Sequence, residues 1–168
     1  MSRLRSAAET LDADAVLKRL THIPKHVAII QDGNRRYAKE HGISVDMGHK
    51  LGAETTLRVL EWGKKLDIRH VTFYAFSTEN FKRDADEVNG LMELFVEKFT
   101  QMLTDARVVE NKINVTVVGD RTLIPPRVLK KIEEVEEKTK HFSNYYAHFA
   151  LAYGGRNEIV ETAKRVVA

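Results

Sequence analysis

The 168-residue sequence contains no cysteine. This absence excludes disulfide bonds and thiolate metal sites, so any bound metal must be held by oxygen or imidazole ligands. Long apolar runs are also missing, and none approaches the roughly eighteen residues that a membrane-spanning helix needs. Acidic side chains occur in the opening residues, MSRLRSAAETLDAD, where a secretory signal has its apolar core. The expected location is therefore cytoplasmic.

The overall composition is that of an ordinary globular protein. Hydrophobic residues make up 43% of the chain and charged residues 30%, which predicts one domain with a real core rather than disorder or repeats. The net charge of +3 and the pI near 9.1 favour anionic partners. Phosphorylated small molecules, anionic lipid headgroups and nucleic acid all satisfy that condition equally well.

An arrangement of apolar strand, polar turn and helix recurs along the chain. It follows an opening amphipathic stretch whose stripe consists of Leu4, Leu11, Leu17 and Leu20. Strands are expected at 26–31, 70–76, 113–118 and 146–152, with helices beginning near 35, 50, 86, 127 and 155. Residues 27–30 are β-branched or small, which predicts a strand buried on both faces. The alternation predicts an α/β fold with a mainly parallel central sheet flanked by helices.

The first polar turn has the composition of an anion-binding site. Asp32, Gly33, Asn34, Arg35 and Arg36 follow the first strand and precede a helix. The glycine allows the backbone to approach a ligand, the arginines can donate to phosphate oxygens, and the carboxylate can hold a Mg²⁺ that shares those oxygens. The alternative interpretation is a capped surface turn whose charges are only solvated.

The turns after the other three strands are also polar. In a parallel sheet all four turns would project from one edge, where ligands bind in such folds, so we expect one shared site. Its candidate side chains are Asp32, Asn34, Arg35, Arg36, Ser77, Glu79, Asn80, Arg83, Arg121, Arg156 and Asn157. The simpler explanation is that turns are polar because they are exposed.

The helix expected over 86–103 is apolar around more than half of its circumference. Such a helix is either deeply buried or lines an apolar cavity, and periodicity alone does not distinguish the two.

Four segments together closely resemble the cis-prenyltransferases, the undecaprenyl and dehydrodolichyl diphosphate synthase family. They are HVAIIQDGNRRYAKEHG at 26–42, GHKLGA at 48–53, YAFSTENFKR at 74–83 and AYGGRNEIV at 152–160. Their order and spacing are compatible with the family, and the resemblance covers the chain from about His22 to its last residue. Arg35 and Tyr37 stand where bacterial members usually have glycine and tryptophan, so the chain looks closer to the archaeal and eukaryotic branch.

The resemblance implies an undecaprenyl diphosphate synthase-like fold and a prenyl transfer reaction. Isopentenyl diphosphate would be condensed with an allylic diphosphate, such as farnesyl or geranylgeranyl diphosphate, to give a cis-polyprenyl diphosphate for a glycosyl carrier lipid. The implied cofactor is Mg²⁺, held by Asp32, which is also a catalytic residue by this equivalence. The implied partners are the two substrates, a second copy of the chain in a homodimer, and a membrane surface contacted peripherally.

The same resemblance assigns roles to individual residues. Asn80 aligns with a residue proposed to assist proton removal from the isopentenyl unit, but an amide is a poor base, so we interpret it as a positioning group. The substrate-binding positions are Gly33, Asn34, Arg35, Arg36, Tyr37, His49, Ser77, Thr78, Glu79, Phe81 and Arg83. The lining of a hydrophobic tunnel for the prenyl chain is expected to include Leu94, Phe95, Phe149 and Leu151.

Two departures from the family pattern stand out. Val45 occupies the position of a bacterial phosphate-binding arginine, and Arg35 would have to compensate for its loss. The sequence stops at Ala168 within a predicted helix, so residues 1–168 are expected to form a single domain that is incomplete at its C-terminus. The family's C-terminal strands and its segment with two arginines, a serine and a glutamate have no counterpart here. We expect the pocket around Asp32 to be intact and the isopentenyl site to be incomplete.

Three other functions are compatible with parts of the sequence. A non-catalytic subunit, which binds prenyl diphosphate or a synthase partner without turnover, would keep the fold but is disfavoured by retention of Asp32 and Arg36. Nucleic-acid binding rests only on the pI and the arginines, and no nucleic acid partner is expected. A phosphate monoester hydrolase with Asp32 as nucleophile would need a second acid two residues later, where Asn34 stands instead.

Overall fold

The computed structural model describes residue 19 and residues 21–167. The opening amphipathic stretch lies outside the described residues. Four strands occur, β1 (His26–Ile30), β2 (His70–Ser77), β3 (Ile113–Val118) and β4 (Tyr145–Tyr153). Six α-helices occur in the same part of the chain, α1 (Asn34–Glu40), α2 (Val45–Lys65), α3 (Ala85–Thr104), α4 (Ala106–Glu110), α5 (Pro126–Thr139) and α6 (Gly155–Val167). Short 3₁₀ helices cover Thr78–Lys82 and Arg121–Leu123.

Local sequence explains where the long helices begin. The Ser44 hydroxyl accepts a hydrogen bond from the Met47 amide at the start of α2, and the Asp84 carboxylate accepts one from the Asp86 amide at the start of α3. Pro126 occupies the first turn of α5, where its missing amide proton costs nothing. Among the described helices, none is long and apolar enough to cross a membrane.

The sheet is parallel throughout, with the strand order β1-β2-β4-β3. This confirms the predicted fold class, a mainly parallel sheet flanked by helices. The central pair, β2 and β4, changes register twice: Tyr74 pairs with Ala150, Phe76 with Leu151, and Ser77 with Tyr153. Each strand therefore carries one extra residue near its carboxyl end. In β4 the stretch includes Ala152, whose φ of 49° is in the left-handed region.

The core lies between one face of the sheet and helices α3 and α5. Its largest fully buried side chains include Phe73 and Phe76 from β2, Met92 from α3 and Ile132 from α5. The expectation that the first strand is buried on both faces is wrong. Burial alternates along β1, and Ile30 is 76% exposed. Successive side chains of a strand point to opposite faces of the sheet, and only one face of β1 packs on the core, so alternate side chains such as Ile29 reach it.

Candidate active site

A cavity of about 320 Å³ opens where β1 and β2 end and extends between α2 and α3. One end is polar and is lined by the turn after β1, by His49 of α2 and by the segment after β2. The opposite wall is apolar and comes from α3 and β4. The volume of the cavity is within the range of about 300–1,000 Å³ typical of small-molecule sites. The predicted site residues that line the cavity are Asp32, Gly33, Asn34, Arg35, Arg36, His49, Ser77, Asn80, Arg83, Leu94, Phe95 and Phe149.

Asp32 lies at the mouth of the cavity and is mostly exposed. Its Oδ1 accepts a hydrogen bond from the Gly33 amide at 2.6 Å, and its Oδ2 accepts one from the Arg36 guanidinium at 2.8 Å. Gly33 has a φ of 99°, a conformation that a residue with a side chain rarely adopts. The turn thus holds a carboxylate and a guanidinium side by side at the entrance.

The residues at this end fit a Mg²⁺ ion that arrives with a phosphorylated ligand. Within the described ranges, no group of three His, Asp or Glu side chains could by itself enclose a metal ion. Mg²⁺ is commonly bound by one or two carboxylates together with substrate phosphates and waters, rather than by an all-protein cage. A single exposed carboxylate beside two arginines that could bind phosphate satisfies that pattern, and Asp32 is that carboxylate.

Behind the polar wall lies Glu87, in the first turn of α3. Its Oε1 is 3.2 Å from His49 Nε2 and accepts a hydrogen bond from Arg83 at 3.0 Å. Arg35 Nε lies 3.6 Å from its Oε2. Glu87 is not among the residues predicted from the sequence. The spacing of four residues between Arg83 and Glu87 was not a sufficient signal, because Arg83 precedes α3 and the two residues do not share a helical surface.

The last residue of β2, Ser77, lines the cavity, as do Asn80 and Arg83 of the segment that follows. The Asn80 Oδ1 accepts a hydrogen bond from the Ser77 amide at 3.1 Å, so this amide oxygen already serves the local backbone. Asn80 thus orders the local backbone, and its role toward a substrate stays a prediction. The 3₁₀ helix that it stabilises sets the path by which the chain passes from β2 to Arg83.

Four predicted substrate-binding residues lie off the cavity wall. Tyr37 stacks on His41, with ring centroids 3.9 Å apart, and Phe81 packs edge-on against Phe76. Thr78 and Glu79 are in the 3₁₀ helix, and neither lines the cavity. The pKa of Glu79 is lowered by a hydrogen bond from its own amide and by one from the Ser77 hydroxyl.

The apolar wall combines three of the four predicted tunnel residues. Leu94 and Phe95 of α3 and Phe149 of β4 line it, together with Leu91, Phe99 and Met102. Leu151 does not line the cavity, so that prediction is wrong: it is 1% exposed and packs in the core instead. Both expected explanations of the apolar surface of α3 therefore apply, because the helix packs in the core and also lines the cavity.

The far end of the cavity is polar again. Arg107 of α4 donates to Glu61 of α2 at 2.6 Å and to Asp105 at 2.7 Å, and both Asp105 and Arg107 line the cavity. Hydrogen bonds from the Arg107 guanidinium lower the pKa of Asp105, although partial burial opposes this. These ion pairs join α2 to α4 where the apolar wall ends.

The turns after β3 and β4 do not contribute to the cavity, contrary to the expectation of one site built from four turns. Arg121 donates to Glu136 of α5 at 2.8 Å, while Arg156 and Asn157 are exposed at the start of α6. Neither turn supplies a lining residue. The strand order explains this for Arg121, because β3 is at the opposite edge of the sheet from β1.

Close packing of α1 on α2 positions Asn34. A Cβ atom added at Gly48 would lie 2.6 Å from the Asn34 carbonyl oxygen, and one added at Gly52 would lie 2.5 Å from the Asn34 Oδ1. Glycine at both positions lets the turn after β1 rest directly on α2. The orientation of Asn34 at the cavity therefore depends on the lack of a side chain at Gly48 and Gly52.

Comparisons with known proteins identify relatives over most of the chain. The prenyltransferase family model described as "Putative undecaprenyl diphosphate synthase" matches residues 30–168. A tritrans,polycis-undecaprenyl-diphosphate synthase (geranylgeranyl-diphosphate specific) of Thermoplasma acidophilum is 49% identical over 85% of this chain and 55% of its own length. An enzyme of the same name from Pyrococcus horikoshii is 49% identical over 86% of this chain and 54% of its own length.

Solved structures agree with these sequence matches. Lavandulyl diphosphate synthase from Lavandula x intermedia, solved in complex with dimethylallyl diphosphate, superimposes with a TM-score of 0.79 at 30% identity, covering 86% of this chain and 61% of that one. A probable undecaprenyl diphosphate synthase from Campylobacter jejuni gives 0.71 at 32% identity, covering 88% and 63%. The chain spans about half the length of the curated relatives it matches. On this evidence the chain belongs to the undecaprenyl diphosphate synthase family of prenyltransferases.

Proposed function

We propose that the protein is the catalytic portion of a cis-prenyltransferase, which condenses isopentenyl diphosphate with an allylic diphosphate to build a cis-polyprenyl diphosphate for a glycosyl carrier lipid. One observation carries the proposal: a single cavity joins a cationic mouth to a wall of Leu94, Phe95 and Phe149. An allylic diphosphate has the same division, with an anionic head and an apolar tail. Geranylgeranyl diphosphate is the proposed starter, since the names of the archaeal relatives specify it. Farnesyl diphosphate is the alternative.

The diphosphate head binds at the turn after β1. Arg36 is mostly exposed beside Asp32, so its guanidinium can turn from the carboxylate to phosphate oxygens. The side chains of Asn34, His49 and Arg83 provide the other donors around the head. Together they stabilise the negative charge that develops on the departing diphosphate.

The proposed cofactor is Mg²⁺, and Asp32 is the residue that would hold it. When bound with a diphosphate, Mg²⁺ supplies positive charge that makes the diphosphate a better leaving group. Exchange of Arg36 from Asp32 to the substrate frees Oδ2 of the carboxylate, while Oδ1 keeps its hydrogen bond from the Gly33 amide. Asp32 and Arg36 therefore change partners together as the ligand enters.

The apolar wall keeps water from the allylic carbon. Phe95, Phe99 and Phe149 contribute large apolar surfaces on the side of the cavity that faces the core. Excluding water prevents hydrolysis of the activated substrate and strengthens the electrostatic interactions at the mouth. Asn80 and Ser77 position the isopentenyl unit in this proposal, and neither acts as its base.

Further parts of the proposal concern the assembly. Residues 1–168 form a single domain or part of one, which pairs with a second copy in a homodimer. The protein acts in the cytoplasm and contacts the membrane peripherally, because a growing prenyl chain is apolar. The relatives are named as synthases, which does not favour a non-catalytic subunit.

The test begins with binding. Calorimetry would titrate the 168-residue chain with geranylgeranyl S-thiolodiphosphate, an analogue that resists ionisation, with and without Mg²⁺. We expect Mg²⁺-dependent binding that Asp32→Asn reduces at least tenfold. Asp67→Asn is the matched control, because Asp67 is exposed beyond α2 and its φ of 54° suits asparagine. Absence of binding, or equal Mg²⁺ dependence in the Asp32→Asn protein, would contradict the proposal.

A further inference from the structure

Glu87 is a nearly buried carboxylate that does not line the cavity yet contacts three groups that do. Its side chain is 10% exposed, and that of His49 is 9% exposed. Arg83 and Arg35 complete the set, and His49, Arg83 and Arg35 all face the cavity. A carboxylate in this place is not needed to bind a diphosphate, which it would repel. Its role must lie in what it does to the three side chains that it contacts.

The three groups come from three different parts of the fold. Arg35 is in α1, His49 in α2 and Arg83 at the end of the 3₁₀ helix, while Glu87 itself is in α3. Long side chains such as arginine lose considerable rotamer freedom when a ligand fixes them. A carboxylate shared behind them fixes their directions before the ligand arrives, so that less ordering remains to be done on binding.

The contacts are unequal. His49 and Arg83 both lie within hydrogen-bond distance of Oε1, and Arg83 is only 26% exposed. Arg35 is 59% exposed and its Nε remains 3.6 Å from Oε2, which is beyond a good hydrogen bond. Glu87 therefore holds His49 and Arg83 firmly and Arg35 loosely. Arg35 keeps the freedom to reach toward a ligand at the mouth.

We propose that Glu87 is a positioning residue, which orients His49 and Arg83 toward the diphosphate of a prenyl diphosphate. The inference rests on the proposed function, since the ligand is the same. Two effects of the carboxylate oppose each other: its negative charge weakens anion binding, whereas its hydrogen bonds orient the donors. The proposal states that orientation is the larger effect, so removing the charge weakens binding instead of strengthening it.

The experiment compares Glu87→Gln with wild type in calorimetry with geranylgeranyl S-thiolodiphosphate and Mg²⁺. Glutamine keeps the size of the side chain and one acceptor, but it cannot serve His49 and Arg83 with a charge. We expect the dissociation constant to rise about tenfold, equivalent to ~1.4 kcal/mol. Glu87→Asp, which retains the charge on a shorter side chain, should recover part of the loss.

A second ligand separates positioning from general damage to the fold. Geranylgeraniol has the same apolar tail without the diphosphate, so its affinity should be unchanged by Glu87→Gln. Glu93→Gln is the control on the same helix, because Glu93 is exposed and pairs with Arg127 of α5 at 2.8 Å. That variant should bind both ligands as wild type does.

Three results would overturn the inference. Equal or tighter binding of the thiolodiphosphate by Glu87→Gln would show that the charge matters more than the orientation. Parallel weakening for the alcohol and the thiolodiphosphate would show a structural role only. Failure of wild type itself to bind the thiolodiphosphate would instead refute the proposed function, and the inference with it.

Discussion

Replacing Gly52 by alanine should weaken ligand binding without weakening the fold. Gly52 is within α2, and a Cβ there would lie 2.5 Å from Asn34 Oδ1 and 2.7 Å from its Nδ2. Real Cβ atoms do not approach so closely, and the obstacle is the end of a flexible side chain. Asn34 therefore rotates away, and α2 remains in place.

The two effects of the substitution have opposite signs. Alanine is favoured over glycine in a helix interior by about 1 kcal/mol, so the free energy of unfolding should be unchanged or slightly raised. Loss of the proposed hydrogen bond from Asn34 to a charged diphosphate should cost about 1.5–3 kcal/mol of binding free energy. That range corresponds to a dissociation constant about ten to a hundred times higher.

Calorimetry with geranylgeranyl S-thiolodiphosphate and thermal unfolding by circular dichroism would measure the two quantities on the same samples. Gly63→Ala is the control, because Gly63 is in the same helix and its added Cβ would meet only Val71 and Ile68, at 3.2 Å and 4.0 Å. It should share the gain in helix propensity and keep wild-type affinity. If Gly52→Ala binds as tightly as Gly63→Ala, the reasoning about Asn34 is refuted.

Three other predictions concern pH, the core and the far end of the cavity. Burial first, and then the neighbouring His70 and His26, lower the pKa of His148 below 6.5 in the folded state. The free energy of unfolding should therefore be highest above pH 6.5 and fall as the pH drops below it. Equal melting temperatures at pH 7.5 and pH 5.5 would contradict this pH dependence. Ile132→Ala removes most of a side chain that has no exposed surface, so it should lower the free energy of unfolding, measured in urea, by about 2–5 kcal/mol. A loss under about 1 kcal/mol would show that the neighbouring side chains fill the cavity that the substitution leaves. Arg107→Ala should cost less than about 1 kcal/mol of stability, because its ion pair with Glu61 is half exposed. In competition binding the variant should shift its preference from geranylgeranyl diphosphate toward longer prenyl diphosphates, and an unchanged preference would show that Arg107 does not limit the length of the cavity.

Sequence periodicity located the elements because each strand is short, apolar and followed by a polar turn. The strand Ile113–Val118 matches its prediction, and the others differ by a residue or so at their ends. The turn from Asp32 to Arg36 was recognisable because its residue types and its position after a strand agree. Strand order was not predictable from these patterns. The four turns were therefore treated as equivalent, although Arg121 is at the far edge of the sheet.

Contacts between side chains that are distant in sequence were also not predictable from the sequence. Nothing in the pattern distinguishes Leu151, which is in the core, from Phe149, which lines the cavity two residues earlier. Glu87 resembles any acid in the first turn of a helix until α1 and α2 bring Arg35 and His49 to it. Such contacts join residues distant in sequence, so they depend on tertiary packing and not on local preference.

The paired register changes of β2 and β4 constrain how the chain length of these strands can vary. The extra residue between Tyr74 and Phe76 is matched by the extra residue between Leu151 and Tyr153, so the two strands leave the sheet in step. Deleting one residue alone would shift Ser77 or Gly154 relative to the neighbouring turn. We therefore expect that a deletion at one of these two places is tolerated only when the other strand loses a residue as well.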